Sequence, residues 1–183
     1  CLCIGLDPDV ERIPSHCGEG VAAMERFCMS IVEATHDLAV AFKPNLAFFE
    51  QYGESGWAAL RRIIACIPEE CMVIADAKRG DIGNTARRYA KAMFDALGAH
   101  AVTVAPYMGA DSVTPFMDGY PNHWTILLAL TSNSGAEDFE FHGSPPLFER
   151  VRTKSQEWGS PDQLMFVVGA TRPDSIARSR QLA

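Results

Sequence analysis

Six short apolar runs recur along the chain, at residues 2–6, 39–43, 72–75, 101–105, 125–130 and 164–168. They are nearly continuous in hydrophobicity and rich in Val and Ile, which predicts parallel strands buried on both faces rather than strands with one wet face. Between them the apolar positions change to a spacing of three and four. Val21, Met24, Phe27, Cys28, Ile31 and Val32 predict a first helix. Trp57, Leu60, Ile63, Ile64 and Ile67 predict a second, stopped by Pro68. Ala86, Tyr89, Ala90, Met93, Phe94 and Leu97 share a face of a third, with Gly98 placed to end it in a left-handed turn. Val113, Phe116 and Met117 mark a short fourth helix, and residues 146–158 a fifth with Leu147, Val151 and Trp158 as its apolar positions. A last helix starts near Pro173, a favourable first-turn residue, and runs to the end of the sequence.

Six strand–helix units in succession define a parallel α/β architecture. A doubly wound sheet of this kind carries a glycine-rich phosphate turn after its first strand. Here that strand ends in Gly5-Leu6-Asp7-Pro8-Asp9, without the turn. A (β/α)8 TIM barrel instead gathers polar residues at the C-terminal ends of several strands, where its active site is built. The strand ends carry Asp7, Lys43 with Asn45, Asp76 with Lys78, Tyr107, Thr131 with Ser132, and Thr171 with Arg172. The sequence therefore predicts a single (β/α)-barrel domain over residues 1–183, with about six of eight βα units present. A closed barrel needs eight strands and typically about 250 residues, so the functional protein is expected to be longer than this chain.

Composition narrows the function. With 48% hydrophobic and 21% charged residues the chain is not disordered. A formal net charge of −7, with no Lys/Arg cluster interleaved with aromatics, argues against nucleic acid as a partner. No apolar run approaches the roughly 18 residues of a membrane span. None of the six cysteines forms C-x-x-C, which predicts reduced, buried thiols in a cytoplasmic protein. The five histidines are scattered without a second ligand at metal spacing, so no metal site is predicted. Residues 135–146, acidic and aromatic and then rich in Gly and Pro, form either a mobile lid or a plain surface loop.

Chemistry concentrates after the third strand, in Asp76-Ala77-Lys78-Arg79-Gly80-Asp81. Alternate residues share a strand face, so Asp76 and Lys78 are expected to point the same way. Taken alone, Asp81 reads as a helix N-cap, and Asp76 with Lys78 as a structural ion pair. Two carboxylates flanking a Lys at a barrel mouth are harder to explain as packing, because buried unpaired charge is costly. Alternating signs make such a cluster tolerable and hold Lys78 protonated. Lys43, at the end of the second strand, extends it into a chain of charges: Lys43, Asp76, Lys78, Asp81.

The run from Asp76 to Thr85, Asp-Ala-Lys-Arg-Gly-Asp-Ile-Gly-Asn-Thr, closely resembles the D-x-K-x-x-D-I-x-x-T signature of the orotidine 5′-phosphate decarboxylase family. Leu6-Asp7-Pro8-Asp9, Phe42-Lys43-Pro44-Asn45, Thr131-Ser132-Asn133-Ser134-Gly135-Ala136 and Val168-Gly169-Ala170-Thr171-Arg172-Pro173 resemble its first-, second-, fifth- and sixth-strand segments. The likeness spans nearly the whole chain, in order, and is greatest to the longer bacterial branch. It implies a cofactor-free, metal-independent, homodimeric lyase of UMP biosynthesis that converts orotidine 5′-phosphate to uridine 5′-phosphate and carbon dioxide. It further implies that Asp7 and Lys43 hold ribose hydroxyls, Asp76 positions Lys78, Lys78 protonates C6, and Ser132 bonds the pyrimidine. Asp81 and Thr85 would reach into the partner subunit's site, Asp81 beside the scissile carboxylate and Thr85 on the ribose. The family's main phosphate-binding groups belong to the seventh and eighth strands, so neither Arg172 nor Arg178 is assigned to the phosphate; Arg172 is read as supporting its turn.

Three other readings remain. Magnesium-dependent sugar-phosphate lyases of the same suprafamily share D-x-K-x-x-D but place a metal-binding Glu where this chain has Lys43. A Schiff-base aldolase needs a Lys with depressed pKa, against which Asp76 and Asp81 act. A non-catalytic nucleotide-binding barrel is permitted by fold alone.

Overall fold

The apolar runs become strands and the three- and four-spaced faces become helices in the computed structural model, which describes residues 2–171 and 173–181. In chain order the elements are β1 (Cys3–Leu6), α1 (Gly20–Thr35), β2 (Ala41–Pro44), α2 (Ala47–Glu50), α3 (Gly53–Ala65), β3 (Met72–Arg79) and α4 (Gly83–Lys91). There follow β4 (Ala101–Val104), α5 (Ala110–Val113), β5 (Trp124–Leu130), α6 (Ala136–Phe139), α7 (Leu147–Ser155), β6 (Leu164–Val168) and α8 (Pro173–Gln181). All six expected strands are present, and β3 continues past the expected Ala75 to Arg79. The strands are hydrogen-bonded in their sequence order, β1-β2-β3-β4-β5-β6. A doubly wound sheet reverses its order at a switch point; this sheet does not, and its strand succession is that of a (β/α) barrel.

By contacts the chain divides into two compact units, Cys1–Ala77 with Met93–Ala101, and Lys78–Ala92 with Val102–Ala183. In the first, β1 runs parallel to β2 from Cys3 beside Ala41 to Leu6 beside Pro44, and β2 parallel to the start of β3. The amide of His100 donates to the Val73 carbonyl, which begins the β3–β4 pairing. The core of this unit is built from Met24, Cys28 and Val32 of α1, Phe42 of β2, Phe49 of α2 and Leu60 and Ile63 of α3, all buried. Of the positions that the helical spacing selects, Met24, Cys28, Val32, Leu60, Ile63 and Ile67 are buried, whereas Val21, Phe27, Ile31, Trp57 and Ile64 are half-buried. A two-pronged pair, Arg62 Nε and Nη2 to the Glu25 carboxylate at 2.6 and 2.7 Å, ties α3 to α1 and holds the Glu25 carboxyl below its usual range. Gly56 lets α3 lie against α2: a β-carbon there would fall 1.9 Å from the Phe49 carbonyl oxygen.

In the second unit β5 and β6 pair in parallel from Thr125 beside Leu164 to Leu128 beside Val167, then shift register to place Leu130 beside Val168. The third helix is α-helical to Lys91 in this unit, and Ala92–Ala96 widen into a π turn; Met93, Phe94 and Leu97, which belong to the first unit, are buried before Gly98 turns the chain at φ 76°. The fifth helix departs from expectation. Leu147, Val151 and Trp158 are only half-buried, and the buried positions of α7 are Phe148, Glu149, Arg152 and Ser155. The reason is polar compensation: Glu149 accepts from Arg178 Nε and Nη2 of α8 at 3.0 and 3.1 Å, and the Arg152 guanidinium lies 4.7 Å from the Phe166 ring centroid. Arg178 is thus committed to a carboxylate.

The thiols also split. Cys17, Cys28 and Cys71 are free and buried, whereas Cys3 and Cys66 are exposed, contrary to the expectation of burial throughout. Among the described residues no helix is long and apolar enough to cross a membrane. Because the Gly56 contact is with backbone, the Gly56→Ala variant should lose about 1–3 kcal/mol of stability, read as a lowered midpoint of urea unfolding at unchanged slope.

Candidate active site

The polar residues at the strand ends in the first unit form two linked pairs. Lys43, the third residue of β2, donates from Nζ to Asp76 Oδ2 at 3.0 Å. Asp76 retains only 8% of its surface, while about a third of the Lys43 side chain (33%) stays exposed. A carboxylate taken this far out of water needs a countercharge, and the ammonium of Lys43 supplies one. The Asp76 carbonyl accepts the Leu46 amide, so the backbone of this acid is held as well.

The second pair fixes Asp7, just past β1. Asn45 Nδ2 donates to Asp7 Oδ1 at 2.8 Å, the Asn45 amide donates to the Leu6 carbonyl at 3.0 Å, and Asn45 Oδ1 accepts the Ala47 amide at 3.3 Å. Asn45 is thereby stitched to both strand ends and aims the Asp7 carboxylate. Gly5 leaves room for this, since a β-carbon there would sit 3.0 Å from Asp7 Oδ2. Burial, and secondarily the charge of Asp7, pushes the Cys28 thiol up to about 12; Cys3, although exposed as a residue, has its sulfur partly covered, and this desolvation raises it against the opposing pull of Lys43. Neither sulfur is suited to act as a thiolate near neutral pH.

In the second unit the regular pleat is interrupted at Lys78. Its φ is 47°, the left-handed region that a side chain with a β-carbon seldom occupies. The alternation read from the sequence therefore applies as far as Ala77 and not to Lys78. The conformation is held by its surroundings: the Lys78 amide donates to Oγ1 of the buried Thr103 at 2.9 Å, and the Ala105 amide donates to the Arg79 carbonyl at 2.8 Å. The Arg79 guanidinium sits 5.4 Å from the Tyr89 ring centroid. Strain of this kind costs of order 1–3 kcal/mol and concentrates at functional sites.

Asp81 does not cap the following helix. Its Oδ1 accepts the Ile82 amide at 2.8 Å, while α4 starts at Gly83 with Ile82 in the capping position and no side-chain cap. Adjacent Ile82 and Gly83 (φ 52°) turn the chain, so the helix begins two residues beyond the acid. Thr85 is exposed in the first turn of α4. Ser132 is exposed just beyond β5, where Gly169 comes close enough that a β-carbon would meet Ser132 N and Cα at 3.0 Å. Thr171 is exposed, and Arg172 lies outside the described residues.

The loop at residues 135–146 is tethered. The Glu140 carboxylate accepts from Thr131, the Phe148 amide donates to the Glu140 carbonyl, the Leu147 amide donates to the His142 carbonyl, and Phe141 meets Phe148 edge-on at 5.5 Å. Beside it Leu128 of β5 and Leu147, Val151 and Trp158 line an open apolar cavity of about 940 Å³, with Tyr107 and Phe139 at its edge. Among the described residues no three His, Cys, Asp or Glu side chains gather as metal ligands do.

Comparison with known proteins identifies the class. The family model described as orotidine 5′-phosphate decarboxylase / HUMPS family matches residues 1–181. An orotidine 5′-phosphate decarboxylase of Bacteroides fragilis is 50% identical, over 99% of this chain and 68% of that protein. One from Flavobacterium johnsoniae is 49% identical over the same shares. The structure of the Leishmania donovani OMP decarboxylase superposes with a TM-score of 0.90 at 42% identity, covering 99% of this chain and 70% of that one. The chain belongs to the orotidine 5′-phosphate decarboxylase / HUMPS family.

Glycine tolerates a positive φ that alanine resists. Lys78→Gly should therefore be more stable than Lys78→Ala by about 1 kcal/mol, measured as the difference in unfolding free energy in urea. Equal stabilities would mean that the backbone relaxes when the lysine is removed.

Proposed function

We propose that this protein decarboxylates orotidine 5′-phosphate to uridine 5′-phosphate, in the cytoplasm and without metal or cofactor, as a (β/α)8 barrel of one domain. The observation that carries the reading is the Lys43–Asp76 pair. The magnesium-dependent lyases of the suprafamily need a carboxylate at the position of Lys43, and an ammonium there opposes a divalent cation. Expulsion of carbon dioxide from C6 leaves a carbanion in the plane of the ring, with no π system to spread it. The protein's contribution is then charge set in place beforehand, an ammonium where negative charge develops.

In this reading Lys78 protonates C6, Asp76 positions it, and Asp7 and Lys43 bind the ribose hydroxyls. Ser132 bonds the pyrimidine. Lys43 holding Asp76, and Asn45 holding Asp7, support it: both acids are fixed before substrate arrives. Such preorganisation spares reorganisation during the reaction, and enzymes use it within total barrier reductions of about 8–23 kcal/mol.

We also propose a homodimer in which Asp81 and Thr85 enter the partner subunit's site. Ile82 is 53% exposed, Tyr107 90% and Met108 46%, and large apolar side chains left in water support an interface. A β-carbon on Gly80 would lie 3.3 Å from Ala105 and 3.7 Å from Met108, so this glycine lets the turn before Asp81 pack on the segment that bears Met108 and Tyr107.

Ultraviolet-monitored turnover of orotidine 5′-phosphate with chelator present tests the activity. The parent should turn over, and Lys78→Ala should lose about a thousandfold or more in kcat. Activity that disappears with the chelator would direct attention to sugar phosphates and magnesium. Mixing inactive Lys78→Ala with inactive Asp81→Ala tests the shared site. A two-fold dimer should recover about a quarter of parental activity, since half of the random dimers are mixed and each has one intact site. No recovery on mixing, with subunit exchange verified, would place Asp81 in its own subunit's site.

A further inference from the structure

The end of β5 is held by a carboxylate that neither the motif nor the activity accounts for. Past Leu130 the strand ladder stops, and the Thr131 amide would otherwise lack a partner. Glu140, immediately after α6, supplies it: Oε2 accepts the Thr131 amide at 2.7 Å and Oε1 accepts the Thr131 hydroxyl at 2.7 Å. The Thr131 hydroxyl also faces Asn133 Oδ1 at 2.6 Å, so its single proton serves two oxygens. Glu140 is itself anchored on both sides, its amide donating to Ala136 at 2.8 Å and its carbonyl accepting from Phe148 at 2.9 Å. The Gly169 amide donates to the Leu130 carbonyl at 2.8 Å, and the Gly169 backbone lies so close to Thr131 and Ser132 that a β-carbon would be 3.0 Å from each. Glu140 therefore holds Thr131 at its amide and hydroxyl, while Gly169 lies against the peptide that joins Thr131 to Ser132.

We propose that Glu140 is a positioning residue for the decarboxylation: by holding Thr131 through both amide and hydroxyl, it fixes the backbone from which Ser132 meets the pyrimidine. The inference rests on the role of Ser132 given in the preceding subsection. A charge-assisted bond to an amide and a second to a hydroxyl of the same residue leave Thr131 little freedom, which a single neutral bond would not achieve. A mere strand-end cap would stabilise the fold equally well but would have no tie to Ser132, and this separates the two roles.

The test is a double-mutant cycle on kcat/KM in the full-length protein, with parent, Glu140→Ala, Ser132→Ala and the double variant. If Glu140 acts through Ser132, each single variant loses about tenfold or more, with the same division between kcat and KM. The double variant is then no worse than Ser132→Ala alone. Glu140→Gln should recover most of the loss. Its carbonyl takes the Thr131 amide, its NH2 donates to the Thr131 hydroxyl, and that hydroxyl is released to Asn133, so each proton serves one acceptor. Where Glu140→Ala does not fold, Thr131→Val against Thr131→Ser gives the same comparison, with the valine variant impaired and coupled to Ser132 and the serine variant not.

Additive losses, or a glutamine variant as poor as the alanine one, overturn the proposal while leaving the activity intact. A folded full-length parent that does not turn over orotidine 5′-phosphate overturns the activity itself, and this inference with it.

Discussion

The first unit is organised around one charge that water barely reaches. Asp76 keeps 8% of its surface, and the ammonium of Lys43 stands 3.0 Å away. Breaking a buried pair from one side costs far more than the pair contributes when intact, because the surviving charge cannot be solvated. The register of β2 against β3 is thereby committed. A one-residue slip would carry Lys43 to the opposite face and strand the carboxylate. Asn45 at the end of β2 bridges to Asp76 on one side and reaches Asp7 on the other, so the same register that satisfies the ion pair also aims the acid after β1.

Much of this fold was legible because parallel strands buried on both faces have few ways to read. The six runs fall where strands lie, and the apolar faces of α1 and α3 are the faces that pack. What misled was polar burial. In α7 the buried face holds Glu149, Arg152 and Ser155, which hydropathy assigns to solvent; Arg178 pairs with Glu149, and the Phe166 ring lies against Arg152, whose Nε is buried without a hydrogen-bond partner. Those partners lie in α8 and β6, and no local pattern announces them.

The candidate site divides the same way. The run from Asp76 to Thr85 is visible because its chemistry is contiguous in sequence. The left-handed backbone of Lys78 is not, since it depends on Thr103, 25 residues away. Asp81 read as a cap because Asp commonly caps helices, yet the helix starts later and the acid turns to its own neighbour's amide. In the sequence Asn45 reads only as a polar residue at a strand end, and Glu140 as one acid among several in residues 135–146. Each acts through a contact that joins separate elements. An acidic, aromatic run with Gly and Pro announces neither the short α6 inside it nor the carboxylate after α6 that grips the end of β5.

The cavity beside α7 has a practical side. Leu128, Leu147, Val151 and Trp158 present an apolar hollow of about 940 Å³ while the chain is folded. Environment-sensitive dyes of the kind used to follow melting brighten in such hollows, so the native chain offers them a berth before anything unfolds. A dye-based melt would start from a raised baseline. Trp158 would report on the same place without added probe, because its indole forms part of the wall and its emission responds to whatever fills the space.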